Sequence, residues 1–431
     1  MNKEESTPDE PSAPVASMPD GSSGAAPEEA ERNPFRAPGF TRWWIASLVA
    51  GTGVGIQSVT VPLFIRDRVS LDDRALAIAA ALIAGTLPGA LLALVGGAVA
   101  DRVERRRILA RTYGVAAFIS TAYVALSGWN VQAIWPVFPL AAIVGAAGAF
   151  TNPARQSMIP QLLSREQLQN GVIFGTMGFM ATLQFLGPSV GGLVTEASSL
   201  TVAFALEVAL LTVGAILFAG VRTPLPEPGS GTVLSDLVAG LRYVRGEPSL
   251  RGLLLLGTVI GVLFIGPFAV TVPILVPDIF EAGDKWVGLL WGCFGGGVFA
   301  GSITLTRWRF PRRGLAALLS IVAGGVITVF YGLTSNLLLA ALLQVGQGLG
   351  ASIFINYVVA LLQENTEPRM MGRVMSMYSL AFFASMPVGY AQAGAVTTHF
   401  GPAASLVSSG ICAAFIALLA LSFARSVRSL R

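Results

Sequence analysis

After Arg42 the sequence is a succession of twelve apolar runs: Trp43–Ile65, Leu76–Ala100, Ile108–Ser127, Val131–Phe150, Leu168–Val194, Leu200–Val221, Leu253–Val276, Val287–Thr306, Leu315–Leu333, Leu337–Leu361, Val374–Thr397 and Ala403–Ala424. Each reaches the roughly 20 residues a helix needs to cross the hydrocarbon core of a bilayer. Only helices and closed barrels satisfy their backbone polar groups in that medium, so the runs predict an all-α membrane protein with twelve transmembrane helices. Composition agrees. Charged residues make up 12% of the chain, about half of the ~25% usual in soluble domains, so most of the surface does not face water. Gly85, Pro88, Gly89, Gly261, Gly266 and Pro267 lie inside the runs; soluble helices tolerate them poorly, whereas membrane helices use them for close contact.

Residues 1–38 are rich in Pro, Ser, Ala, Gly and Glu and carry eight of the 24 acids. They lack a basic stretch followed by an apolar one, so a disordered tail is expected rather than a cleaved leader. Of the 28 Lys and Arg residues, only Arg66, Arg68, Arg74 and Lys285 fall at helix ends that strict alternation assigns to the outer side. The positive-inside rule then places both termini in the cytoplasm. The arginines end apolar runs and do not interleave with aromatics, which argues against nucleic-acid binding. Cys293 and Cys412 lie far apart in apolar runs and read as small fillers, not as a disulfide or metal site.

The longest internal loop, with "RTPLPEPGSGT" and the amphipathic "LSDLVAGLRYVR", divides the helices six and six. A tail at 1–38, a first lobe at 39–221, a linker at 222–249 and a second lobe at 250–431 follow. "GGAVAD" (Gly96–Asp101) aligns with "GGVFAG" (Gly296–Gly301), and "GAFTN" (Gly148–Asn152) with "SIFIN" (Ser352–Asn356). Internal repetition of this kind is expected of a two-lobed transporter.

Twelve helices, a central loop and this repeat resemble the major facilitator superfamily, and the loop after the second helix carries the most specific part of the likeness. Gly97, Asp101, Arg102, Arg105 and Arg106 match that family's signature of a glycine, an Asp-Arg pair and a basic pair. The resemblance implies a cytoplasmic latch between lobes, in which Asp101 at the mouth of helix two meets the start of helix eleven, with Arg373 close by. "NPARQSMIPQLLSREQLQNG", "LRYVRGEPSLRGLL" and "QENTEPRMMGRVMS" resemble the branch of enterobactin-type siderophore exporters and macrolide efflux proteins, as does Glu104. "GPSVGG" in helix five, with Gly187, Pro188, Gly191 and Gly192, resembles part of the motif of drug–proton exchangers. Leu183 stands where that motif has an earlier glycine.

Enzymatic constellations are absent from the sequence, and neither cofactor nor metal is expected; the single histidine, His399, reads as a loop residue. Glu207 is the one carboxylate within a span. An ionised side chain there costs about 3 kcal/mol or more, so Glu207 is either a proton carrier or a buried acid bonded to a neighbouring helix. Helix four, ending at Phe150, holds no arginine, unlike many drug–proton exchangers of the superfamily. Gln57, Gln184, Gln344, Gln347, Asn356 and Gln392 are cavity candidates or interhelical glue. With Phe264, Phe268, Trp291 and Phe294 and no buried arginine or lysine, they favour a bulky, amphiphilic, neutral or cationic substrate. The expectation is a monomeric, proton-coupled exporter of amphiphilic small molecules, of siderophore or drug type, in the cytoplasmic membrane. The alternatives are an importer of a neutral nutrient and a sensor that no longer transports.

Overall fold

The computed structural model describes residues 32–100, 103–223, 233–308, 310–423, 425–428 and 430, and these contain no strand. The membrane helices are α1 (Pro38–Arg66), α2 (Arg74–Ala100), α3 (Arg105–Gly128), α4 (Val137–Leu162), α5 (Arg165–Ala197), α6 (Leu200–Ala219), α7 (Pro248–Asp278), α8 (Lys285–Arg307), α9 (Arg313–Leu333) and α10 (Leu337–Glu364). A continuous run, Met371–Phe423, completes the set. It breaks at Gly401, whose φ of 85° is non-helical. Glycine takes this conformation without steric penalty, and Pro402 cannot donate to the preceding turn. The run is therefore two spans, α11 (371–400) and α12 (402–423), and the total is twelve.

Boundaries differ from the sequence reading at both ends of helix four and in the tail. Helix four begins at Val137 rather than Val131, since 131–136 are not helical. Helix four does not end at Phe150 but continues through Pro153 and Pro160 to Leu162. The polar "TNPARQS" lowers the local hydropathy, yet Ala154, Met158 and Ile159 are buried in the first-lobe core and hold the extension in place. Of the tail, residues 1–31 lie outside the described residues. Residues 33–37 are packed rather than loose: Asn33 accepts from Phe35 N–H at 3.0 Å, and the Phe35 ring sits 5.1 Å from Trp44 and 5.3 Å from Phe174.

The twelve helices form two six-helix pseudo-repeats, each held by close backbone approach. In the first, Gly89 faces the Gly145 carbonyl between α2 and α4; in the second, Gly297 and Gly348 bring α8 against α10. A second device is shared but moved. α5 and α7 each contain one π turn, Thr182–Leu186 and Gly261–Ile265, directly before Gly187–Pro188 and Gly266–Pro267. Proline lacks an N–H and its ring crowds the carbonyl four residues back; one wider turn relieves the clash. A Cβ at Gly187 would lie 2.6 Å from the Gly55 Cα of α1, and one at Gly389 of α11 would lie 2.6 Å from the Gly261 carbonyl oxygen. The kinked member of the pair is thus α5 in the first lobe and α7 in the second.

One end of the bundle, where α1 begins and α2 ends, carries nearly all the arginines; the other is termed the far end. The lobes meet towards the far end. Beyond the π turn, α5 runs along α8, whereas its arginine-end half hardly touches α8, and α4 and α10 barely meet among the described residues. Gly394 of α11 abuts Ala79 of α2. Three ion pairs cross the same junction. Arg66 meets Asp284 through two hydrogen bonds of 2.7 and 3.2 Å while also bonding Asp67. Arg74 lies 3.6 Å from Asp278, and Lys285 lies 2.6 Å from Glu196. Glu196 also accepts from the backbone N–H of Lys285 at 2.9 Å, so it caps the positive amino end of α8. The cleft between the lobes therefore opens towards the arginine-rich end.

Gly187→Ala is expected to destabilise the protein by about 1–3 kcal/mol, because neither backbone can withdraw; thermal unfolding of the purified protein in detergent measures it, and an unchanged midpoint contradicts the contact. Asp284→Arg is expected to weaken far-end closure by about 2 kcal/mol, close to thirtyfold in population. Spin-label distances between the α5–α6 and α7–α8 loops report this shift, and Arg66→Asp in the same chain should restore the closed distance.

Candidate translocation site

The helix-five motif divides its labour. Gly187 and Gly191 face α1: a Cβ at Gly191 would lie 3.2 Å from the Ile56 Cα. Gly192 faces the other lobe, where a Cβ would lie 2.9 Å from the Lys285 carbonyl oxygen and 3.0 Å from the Gly288 nitrogen. Pro188 is buried and initiates the segment after the π turn. Gln184 is half-buried in that turn, and its main-chain carbonyl, not its side chain, faces Gly295 of α8. The motif thus sets both the bend of α5 and the seam at which the two lobes touch.

The signature loop is only partly described. Gly97 lies on the last turn of α2; Asp101 and Arg102 lie outside the described residues. Glu104 is 8% exposed and pairs with both Arg106 and Arg107, so these two cations are held locally by an acid. Arg105 is half-buried beside them. Arg373 is half-buried at the start of α11, with one guanidinium nitrogen 3.4 Å from Met370 Sδ. A linker helix, Val233–Gly246, lies over this point. A Cβ at Gly240 would lie 3.3 Å from Arg373 Cβ, the Tyr243 hydroxyl accepts from Glu367 N–H at 3.3 Å, and Val244 is buried in the second-lobe core.

Glu207 is fully buried on α6. The Ser120 hydroxyl of α3 donates to its Oε1 at 2.5 Å, and its Oε2 has no partner. No cation pairs with it among the described residues. Glu207 therefore sits in the seam between α3 and α6, inside the first lobe.

The structure does not bring the neutral polar candidates together. Gln344 is 4% exposed on α10, beside the Tyr331 hydroxyl of α9. Gln347 points at Gly324 of α9, with its Nε2 3.4 Å from where a Cβ would stand and its Oε1 unpartnered. Asn356 is exposed and donates to the Ser352 carbonyl at 2.9 Å and to Ser302 of α8 at 3.3 Å. Gln392 donates to Ser409 of α12 at 3.3 Å. Gln57 is half-buried on α1. Most of these groups thus join helices within a lobe. Phe268 makes an edge contact with Trp291 at 4.5 Å and lies 6.5 Å from Phe294 and 6.0 Å from Tyr331, so an aromatic cluster does form across α7, α8 and α9.

A residue that the sequence reading passed over corrects it. Arg155, on the extended α4, is 2% exposed, with its guanidinium 3.7 Å from the centre of the Phe179 ring. Tyr113, stacked on Phe218 at 5.4 Å, lies close by. No carboxylate pairs with Arg155 among the described residues. Helix four therefore does carry an arginine, and the absence of buried arginine inferred from sequence does not hold. The cation–π contact offsets part of its desolvation. The signal was available in "NPARQ", where the arginine precedes Met158 and Ile159 at helical spacing.

Comparison with known proteins places this geometry. The sequence pattern of the transmembrane secretion effector family (MFS_3) matches residues 30–429. The multidrug efflux pump Tap of Mycobacterium tuberculosis is 27% identical over 406 residues, covering 90% of this chain and 94% of Tap. The enterobactin exporter EntS of Escherichia coli is 25% identical over 407 residues, covering 91% and 94%. Among solved structures, an inward-facing bacterial homologue of the lysosomal transporter Spinster superposes with a TM-score of 0.69 at 15% identity, over 91% of this chain and 98% of that one. The peptide transporter POT with bound alafosfalin reaches 0.71 at 14% identity, over 90% and 95%; these two likenesses concern the fold alone. The chain belongs to the transmembrane secretion effector family of the major facilitator superfamily.

Proposed function

We propose that the protein is a secondary active exporter of amphiphilic small molecules of drug or siderophore type, driven by protons across the cytoplasmic membrane. The observation that carries this reading is the family match over residues 30–429, together with relatives that are efflux pumps along nearly their whole length. The cleft, closed at the far end and open at the arginine-rich end, supports it as the state that loads substrate from the side where the arginines lie. Their distribution supports cytoplasmic placement of that end and of both termini. A monomer suffices, because both lobes of the pathway belong to one chain. The aromatic cluster around Phe268 suits apolar ring systems, and Gln184, beside the sliding seam, is the nearest of the amide candidates to the lobe junction.

Glu207 is the proton-carrying candidate, being buried, on a membrane helix and without a cation. Its exchange with water requires the α3–α6 seam to admit water in one of the two states. Asp101 is the second candidate. Export of one molecule per cycle then follows from alternate opening of the two ends, with the far-end ion pairs broken in the opposite state.

In proteoliposomes with an imposed pH gradient, Glu207→Gln is expected to lower gradient-driven transport of a fluorescent cationic dye at least about tenfold. Dye exchange without a gradient should persist, which separates loss of coupling from loss of folding. Full gradient-driven transport by the variant removes Glu207 from the scheme. Movement of dye in the direction of import, for wild-type protein of known orientation, removes export.

A further inference from the structure

The loop before α9 and the first turns of that helix enclose a groove of about 810 Å³ between α9 and α10, within the range of about 300–1,000 Å³ seen for pockets that hold drug-sized ligands. It belongs to neither the lobe junction nor the cleft. Leu315, Leu319 and Ile353 form its apolar wall, with Leu319 49% exposed. Phe310 closes one side and is fixed there, since its N–H donates to the Tyr357 hydroxyl at 3.0 Å. At the mouth stands Arg312, exposed and immediately before the amino end of α9. Arg313 beside it is engaged by Glu364 through two bonds of 2.8 and 2.7 Å, whereas Arg307 and Arg312 pair with no acid among the described residues. Trp308, 74% exposed, marks the level of the membrane interface, where such rings concentrate.

The geometry points to a binding site for an acidic glycerophospholipid, its phosphate at Arg312 and one acyl chain along Leu315, Leu319 and Ile353. Two independent features converge on this ligand. An apolar groove by itself gains nothing over bulk lipid, because acyl chains are as apolar as leucine. Selectivity must come from the head group, and the exposed Arg312 guanidinium, which pairs with no acid among the described residues, provides it for an anion. The charge also disfavours the other amphiphile at hand, since a cationic substrate is repelled by Arg312. Basic pockets between membrane helices bind acidic head groups by the same logic.

The test uses the full chain in nanodiscs of phosphatidylcholine, doped in turn with spin-labelled phosphatidylglycerol and spin-labelled phosphatidylcholine. Wild-type protein should immobilise an excess of the acidic label over the neutral one. Arg312→Gln is expected to reduce that excess about fivefold. Leu319→Trp fills the groove from an exposed position and should reduce it without altering charge. Arg251→Gln, an exposed arginine at the same end of the bundle, should leave it unchanged. Equal immobilisation of the two labels overturns the site. So does retention of the full excess by either groove variant, or an equal loss in Arg251→Gln, which would reduce the effect to overall charge. The readout is lipid binding, so failure of the transport reading leaves it intact.

Discussion

Inside a bilayer, moving a leucine from lipid to protein gains almost nothing, so these helices must be held by something other than hydrophobic burial. In this chain that something is backbone proximity at glycine. Gly55 against Gly187, Gly261 against Gly389 and Gly297 against Gly348 bring main chains to a distance that any Cβ would forbid. Such contacts are rich in dispersion attraction and allow little lateral adjustment, but they leave smooth surfaces along which helices can shift as units. The seam between α5 and α8 follows this pattern, with Gly192, Gly288, Gly292 and Gly295 lined up along it. A transporter needs both properties, rigidity within a lobe and slip between lobes.

Charge then decides where slip is arrested. The four cations that break the arginine rule, Arg66, Arg68, Arg74 and Lys285, are all engaged. Three of them cross the lobe junction to acids, and Arg68 lies over Phe64 while donating to the Val131 carbonyl. The few cations at the far end are thus the ones that fasten it. Ion pairs suit the role better than apolar packing, because each partner can be rehydrated when the lobes part.

Much of this was legible beforehand, and the limits have physical causes. Hydropathy reports spans because lipid demands them, so twelve helices and the sixfold division could be read directly. Gly187–Pro188 marks a bend in the sequence itself, since proline acts locally; the π turn ahead of it and its counterpart in α7 appear only in the structure. Helix four was cut short because window hydropathy averages over faces: "TNPARQS" is polar on average, while its buried stripe is not. Arg155 was lost with it. Partner choice was illegible throughout, because pairing Arg66 with Asp284 or Ser120 with Glu207 depends on how distant helices rotate against each other. The glutamines show the same limit, since residue type marks a polar group in the membrane without saying which neighbour it meets.

One detail of the far-end junction reaches further. Glu196 holds not only the Lys285 ammonium but also that residue's main-chain N–H, a donor that no substitution of the side chain removes. Parting the lobes there uncaps a helix, leaving first-turn amides of α8 to be taken over by water. Any form in which the lobes separate at the far end must therefore begin α8 with a solvated helix start, and it leaves Glu196 without the donors that hold it here.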